Sequence, residues 1–413
     1  GDDLRGAELT GHALAGLVPA HRDHGLRSQL HGSEHRAQPD RAVTDAAYLL
    51  ADVPLPAPRR ILLIKLRHHG DVLLMTPMVQ ALKQREPDCE VDVLIYQETR
   101  DMVAAHPHIH TIHCIDRQWK KQGTRAQIGH EWALLQAVRQ RQYDAVVCLA
   151  DQWRGALLTR ASGAKVRIGV DFPYRKGRLW QSCFTDLVPA LGMDRHTVEQ
   201  NLLALEPLGI ALDKNTPSTM AYRPEDKRHV EQMLREQGWQ GEGYVVIHPG
   251  SRWFFKCWDD DKTTAIAQRL LAHGLTVVLS AAPDKRELQM LQTLQTQLQP
   301  LTGRLCVLAG CMNLRELGAL IDGADLFIGV DSVPMHMAAA LQTPAVALFG
   351  PSWLSRWHPW SDTASVVYAG DYGELPHPDS IDVNTTTRYL SAIPVDAVWQ
   401  AVQKHLPCLG ESS

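Results

Sequence analysis

Short apolar runs rich in β-branched residues alternate with amphipathic stretches from residue 61 almost to the end of the chain. The first series of runs is ILLIKL (61 to 66), EVDVLIY (90 to 96), TIHCI (111 to 115), YDAVVCLA (143 to 150) and KVRIGV (165 to 170), with helical spacing at 72 to 85, 124 to 142 and 152 to 162. The second is YVVIHP (244 to 249), LTVVLS (275 to 280), LCVLAG (305 to 310), DLFIGVD (325 to 331) and AVALFG (345 to 350). Helices are predicted around it at 225 to 237, 259 to 273, 284 to 298, 313 to 322 and 334 to 342. Runs this apolar, separated by helices, predict parallel strands covered on both faces. The fold class is α/β, with two doubly wound domains in succession, 58 to 224 and 225 to 393. A polar, Pro-containing stretch from Asp213 to Pro224 divides them. Ligands of such sheets sit beyond the carboxyl ends of the strands, so those loops are where chemistry is expected.

Residues 1 to 57 break the pattern. They hold no Lys, Phe or Trp and five of the 20 His. A short helix is expected at Val43 to Leu50, and the rest is expected to be disordered up to the prolines at 54, 56 and 58. Residues 394 to 413 form a terminal element, with Val395, Val398, Val402 and Leu406 at helical spacing.

Composition narrows the class. A chain of 413 residues with 45% hydrophobic and 21% charged residues is that of an ordinary globular protein. The net charge of -4 excludes a dedicated nucleic-acid binder, which needs an excess of Lys and Arg. Divided at residues 57 and 224, the segments hold 5, 23 and 14 Lys+Arg against 8, 17 and 21 Asp+Glu, or -3, +6 and -7. The basic first domain therefore fits an anionic partner. Eight cysteines without a CxxC pair argue against a zinc site or a disulfide scaffold, and a reducing compartment is expected. No stretch reads as a membrane span or a secretion signal.

Three loops carry candidate chemistry. The first strand runs into Arg67, His68, His69, Gly70 and Asp71, where a dinucleotide-binding fingerprint would need more glycines. Asp71 suits a helix N-cap and equally a general base facing an interdomain cleft, and the two readings are compatible. After the strand at 244, the Gly250-Ser251 turn and Lys256 offer backbone N-H groups, a hydroxyl and a point charge to a phosphate. An exposed Lys is the alternative, which the aromatic residues Trp253, Phe254, Phe255 and Trp258 around it disfavour. After the strand at 325, Asp331, Ser332 and His336 converge on a helix N-terminus, a ready anion site. Two phosphate-suited loops in one half and a base in the other point to a nucleoside diphosphate donor and a reaction across the cleft.

The segments HGDVLLMTPMVQALK (69 to 83), KCWDDDK (256 to 262), SAAPDK (280 to 285) and GVDSVPMHMAAALQTPAVALFGP (329 to 351) resemble the ADP-heptose lipopolysaccharide heptosyltransferases, glycosyltransferase family 9. The likeness spans about 59 to 406. ADQWRGALLTR (150 to 160), SRWFFKCWD (251 to 259) and AGDYGELP (369 to 376) look most like the members that act third on the inner core. The resemblance implies the GT-B fold, two Rossmann-like domains facing a central cleft, acceptor on the first and donor on the second. It also implies a terminal helix that crosses back to the first domain. The implied reaction is inverting transfer of L-glycero-D-manno-heptose from ADP-heptose to a heptose of the lipopolysaccharide inner core, with no obligate metal or other cofactor. The implied setting is a monomer, cytoplasmic and peripheral to the anionic face of the inner membrane.

By the same resemblance, Asp71 is the catalytic base and Lys256 the lysine that meets charge on the leaving ADP. Asp331 holds heptose hydroxyls, Ser332 and His336 form the diphosphate turn, and Ser251 belongs to a phosphate loop. Asp284 is expected at the ribose and Met312 near adenine. Val333 fills a place where the family usually has Gly or Ala, which sets a β-branched side chain against the pyrophosphate. From charge, two basic groups, Lys165, Arg167, Arg175, Lys176 and Arg178 and then Arg117, Lys120, Lys121 and Arg125, fit core phosphates, Kdo carboxylates or the anionic leaflet, with a solvated face as the alternative. Lys65, Arg67 and His69, with Arg175, Lys176 and Arg178, are the expected acceptor contacts. Two other classes fit the loops: a non-catalytic nucleotide-sugar-binding protein, and an ADP-sugar epimerase or hydrolase on the same fold.

Overall fold

The apolar runs pair into two all-parallel sheets of six strands each in the computed structural model, which describes residues 58–298 and 303–409. Along the first half run β1 (Arg60–Ile64), α1 (His69–Leu73), α2 (Thr76–Arg85), β2 (Glu90–Tyr96), β3 (Ile109–Ile115), α3 (Thr124–Gln140) and β4 (Ala145–Cys148). They are followed by α4 (Trp153–Ala161), β5 (Val166–Asp171), α5 (Arg178–Gln181), β6 (Asp186–Pro189) and α6 (Thr197–Leu203). The second half opens with α7 (Pro224–Glu236), β7 (Tyr244–His248), α8 (Asp260–Ala272), β8 (Thr276–Ala281), α9 (Lys285–Gln297) and β9 (Leu305–Ala309). It continues through α10 (Leu314–Asp322), β10 (Leu326–Val330), α11 (Val333–Ala340), β11 (Ala345–Phe349), α12 (Leu354–Trp357), β12 (Ala364–Tyr368) and α13 (Val395–His405).

The strand orders are β3-β2-β1-β4-β5-β6 and β12-β11-β10-β7-β8-β9. Each half therefore repeats one doubly wound topology, with its order reversing between β1 and β4 or between β7 and β10. Loops leaving these four strands flank the two crevices. Burial explains the composition: β4, β7, β10 and β11 are buried at every position, so alternation would place polar groups against helices.

The structure departs from the sequence reading at several points. One helix expected at 72 to 85 is two, α1 and α2, because the chain turns at Leu74 and Met75 before Pro77 starts α2 near its N-terminus. Strands β6 and β12 were not anticipated, since at the sheet edges their short, half-exposed sequences lack an apolar run. The terminal helix corrects an expectation. It does not return to the first domain: α13 packs on α8, β11 and β12. Its stripe of Val398, Ala401 and Val402 shares a core with Val245, Trp258, Leu348 and Ile393, which satisfies the helix within its own domain. The expected extension at 1 to 57, including a helix at Val43 to Leu50, lies outside the described residues.

The halves are joined at the crevice itself. Arg315 of α10 donates to Asp101 at 2.5 Å and to Asp226 at 3.2 Å, and Trp360 donates its indole N-H to the carbonyl of Thr216 at 2.8 Å. Helix α1 meets α11 so closely that a side chain at Gly70 would come within 3.3 Å of the His336 ring. A glycine there lets the first strand-end loop touch the second domain.

Candidate active site

The loops after β1, β7 and β10 open into one cavity of about 1170 Å³ between the domains. Lys65, Arg67, His69 and Asp71 line its first-domain wall, and Ser251, Lys256, Asp284, Met312, Asp331, Ser332, Val333 and His336 line the other. Arg175, Lys176 and Arg178 stand outside that lining. Lys176 instead pairs with Asp171 at 3.0 Å, and Arg175 donates to the carbonyl of Asp151 at 2.9 Å.

Asp71 lies in the first turn of α1, whose N-cap is His68, so it is a first-turn acid and not the cap itself. The free N-H groups and dipole of that turn favour its carboxylate. Lys65 Nζ stands 3.9 Å from Asp71 Oδ1 and donates to Asn201 Oδ1 at 3.2 Å, while Asn201 Nδ2 donates to the carbonyl of Leu74. A buried ammonium thus backs the acid. Burial pushes Lys65 down to about 8, against the opposing pull of Asp71.

On the facing wall, Lys256 Nζ donates to Asp331 Oδ2 at 2.6 Å with both side chains nearly buried, and the ammonium lies 4.8 Å from the centre of the Trp253 ring. Burial would raise the Asp331 carboxyl, but the Lys256 charge and hydrogen bond outweigh it and hold the carboxyl below its usual range. Ser251 Oγ donates to the carbonyl of Asp331 at 3.2 Å, tying the β7 loop to the β10 loop. Gly250 makes that possible, since a Cβ there would come within 2.4 Å of Glu287. Behind it, the buried His248 contacts Ser280 at 2.9 Å through Nδ1 and Glu287 at 3.5 Å through Nε2.

Helix α11 starts at Val333 with Ser332 as N-cap, yet the serine side chain makes no cap bond. Ser332 Oγ and His336 Nδ1 are both buried without a protein partner. Two unsatisfied polar groups at a helix N-terminus in a cavity form an acceptor-seeking site suited to an anion. Asp284 takes a different post from the one expected of a free carboxylate: its Oδ1 caps α9, accepting from the backbone N-H groups of Arg286 and Glu287. It still lines the cavity, as Met312 does.

Sequence reasoning missed three contributors. Arg356 of α12 lines the cavity, and burial lowers its guanidinium from the ordinary value while Asp71 opposes that shift. Its position after β11 was readable from the strand-end rule. Asn201 lies mid-helix in α6, where nothing marks a functional amide. Arg252 meets His68 Nδ1 at 3.3 Å across the crevice, a contact only the tertiary fold creates. Among the described residues no group of three or more His, Cys, Asp or Glu is arranged to hold a metal ion.

The sequence profile described as glycosyltransferase family 9 (heptosyltransferase) matches residues 131–386. A lipopolysaccharide heptosyltransferase 3 of Escherichia coli is 42% identical over 343 residues, 83% of this chain and 98% of that protein. The chain belongs to glycosyltransferase family 9. The heptosyltransferase 3 of strain K12 is 39% identical, over 83% of this chain and 96% of its own. A glycosyltransferase family 9 crystal structure from Veillonella parvula superposes with a TM-score of 0.72 at 22% identity, covering 86% of this chain and 98% of its own. The Escherichia coli heptosyltransferase WaaC with ADP gives 0.66 at 20% identity, over 84% and 99%. The fold is GT-B, and this family 9 chain is a glycosyltransferase.

Burial also makes the family 9 fold acid-sensitive, at His336 in the cavity and at His106 and His196 outside its lining. His336 is pushed down to about 4, first by burial and then by Lys256 against Asp331; burial likewise takes His106 to about 4 and His196 to about 3. The unfolded chain takes up these protons near pH 6.5 and the folded chain does not. Their contribution is therefore intact above that value and lost as pH falls towards 4, at most about 1.4 kcal/mol per pH unit for each histidine. Thermal unfolding followed from pH 7 downward should show Tm falling over this window, and His106→Gln should make the slope shallower.

Proposed function

We propose that this enzyme transfers L-glycero-D-manno-heptose from ADP-heptose to a heptose of the lipopolysaccharide inner core, with inversion, at the cytoplasmic face of the inner membrane. The observation that carries the reading is the cavity's two-sided chemistry. An acid on the first domain faces an anion site on the second, made by Lys256, Ser332, His336 and the α11 N-terminus. The relatives named heptosyltransferase 3 support the sugar and the acceptor class.

In the reaction, Asp71 takes the proton of the attacking acceptor hydroxyl as its oxygen bonds to the anomeric carbon. The bond from that carbon to the β-phosphate oxygen breaks on the opposite face. Charge gathering on the departing ADP meets Lys256, the Ser332 hydroxyl and the helix N-terminus, a cradle assembled before the substrate arrives. His336, neutral at working pH, donates a hydrogen bond and no charge. Asp331 holds Lys256 and takes heptose hydroxyls beside it. That ion pair disfavours a covalent, retaining route, which needs a free second carboxylate at the anomeric carbon. Ser251 steadies the phosphate loop, Asp284 faces the ribose, Met312 the adenine, and Val333 narrows the pyrophosphate approach. Lys65, Arg67 and His69 meet the acceptor.

The deciding experiment follows ADP release from ADP-heptose with and without a heptosylated core acceptor, and analyses the product's mass and linkage. Acceptor-dependent release with a gain of one heptose is the expected result. Release without acceptor would indicate a hydrolase, an altered free sugar nucleotide an epimerase, and binding without turnover a non-catalytic protein.

A further inference from the structure

The first domain exposes an apolar and basic face that the reaction above leaves unused. Ten large hydrophobic side chains stand exposed among the described residues, and six of them, Ile128, Trp132, Trp153, Leu157, Tyr174 and Leu179, fall between residues 117 and 181. Ile128 and Trp132, at 63% and 59% exposure, form an i, i+4 stripe on α3, and Leu179 reaches 67%. The same stretch holds 13 Lys+Arg and 4 Asp+Glu, so its excess of nine exceeds the +6 of the whole domain.

These residues lie on one side of one sheet. The inner faces of α3, α4 and α5 share a core through Leu134, Val138, Ala156, Leu158 and Trp180, so their other faces point to solvent together. The outer layer is cross-linked. Arg154 of α4 pairs with Glu131 of α3 and stands 5.7 Å over the Trp119 ring, while Arg175 lies over Trp153, Tyr174 and Trp180. The face also reaches the crevice: Tyr174 stacks on Phe172, and Phe172 and Arg117 line the cavity.

We infer that this face, α3 through α5, docks the enzyme on an anionic lipid bilayer, its exposed aliphatic and aromatic side chains entering the interface and its Lys and Arg meeting lipid phosphates. An apolar stripe with basic flanks is the composition of interfacial anchors, and tryptophan and tyrosine favour the headgroup level. Lys120, Lys121 and Arg125 lead into the α3 stripe, and Arg178 adjoins Leu179, which supplies the charge complementarity. Among the described residues no helix is long and apolar enough to cross a membrane, so contact of this kind is lateral. The inference rests on the proposed lipid-linked acceptor for its purpose: docking here sets the acceptor-side mouth of the cavity beside the bilayer.

The test is flotation of the full chain with phosphatidylglycerol–phosphatidylcholine vesicles and with phosphatidylcholine vesicles alone. Binding to the anionic vesicles, weakening with salt, is expected. The combined variant Ile128→Ser, Trp132→Ser, Leu157→Ser, Leu179→Ser should bind at least about tenfold more weakly, and Lys120→Glu, Lys121→Glu, Arg125→Glu should lose the anionic preference. Turnover of the Ser variant on delipidated acceptor should stay at the wild-type level, which also reports its folding, while turnover on vesicle-embedded acceptor drops. Equal vesicle binding by wild type and Ser variant would overturn the inference. So would a wild type that ignores vesicles and forms a dimer that the Ser substitutions dissolve. Flotation needs no donor, so a wild type that binds vesicles yet transfers no heptose would refute the proposed reaction and leave the docking face standing.

Discussion

Asp71→Asn is expected to lower kcat by roughly 10²- to 10⁴-fold, the range for loss of a positioned general base. The amide keeps the shape of the carboxylate and cannot accept the acceptor's proton. ADP binding, measured by calorimetry, should change by less than about twofold, because Ser332, His336 and Lys256 belong to the other wall. Stability should fall through lost interaction with the α1 dipole and with the buried Lys65 ammonium, whose pKa drops further once the Asp71 charge is gone. The nearby Lys65 ammonium sharpens the design of the test. It stands 3.9 Å from Asp71 and is held by Asn201, so the amide leaves a buried cation without its charged neighbour while Asn201 still satisfies a hydrogen bond. Asp71→Ala should behave alike in kcat. A parallel loss of ADP affinity and turnover in both variants would refute the base assignment, since a residue that only shapes the crevice would impair both.

What the sequence made legible was what strand-end loops encode locally. The ten apolar runs became ten of the strands, and Asp71, Ser251, Lys256, Asp331, Ser332 and His336 all proved to line one cavity. Each lies within a few residues of a buried strand's carboxyl end, where topology alone directs it to the crevice. Other features escaped for physical reasons. β6 and β12 sit at sheet edges with partial exposure, so no hydrophobic run announces them. The pairing of Lys256 with Asp331 joins residues 75 apart through two adjacent parallel strands, and no local pattern carries such a contact. Asp284 is expected at the ribose from the resemblance alone, and only the backbone geometry of α9 shows that its carboxylate also caps that helix. The terminal helix was misjudged because its amphipathic stripe says that it must pack, but not on which domain.

Lys256→Met should be the most damaging single change on the donor wall. Turnover is expected to fall by roughly 10²- to 10³-fold, as for removal of one preorganised group from a developing oxyanion. Stability should fall with it, by about 3–5 kcal/mol, because the nearly buried Asp331 carboxylate loses its partner. Asp331→Asn placed on top of Lys256→Met removes the stranded charge, so denaturant unfolding should recover most of the loss while turnover stays low. The dependence on pH separates this electrostatic account from a packing defect. In the wild type the Asp331 carboxyl is held below its ordinary value, so its contribution is complete above that value and lost only as pH falls through the lowered one. Without Lys256, burial acts unopposed and raises the carboxyl, so its penalty grows as pH rises and fades in mild acid. The gap in unfolding free energy between wild type and Lys256→Met should therefore narrow as pH is lowered. His106 and His196 do not feel Lys256 and respond alike in both proteins, while His336, no longer pushed down by Lys256, loses less on acidification in the variant and narrows the gap in the same direction. A gap that stayed constant with pH, or a double variant no more stable than the single, would mean that Lys256 serves as packing and not as the counterion that keeps an anion-binding wall charged.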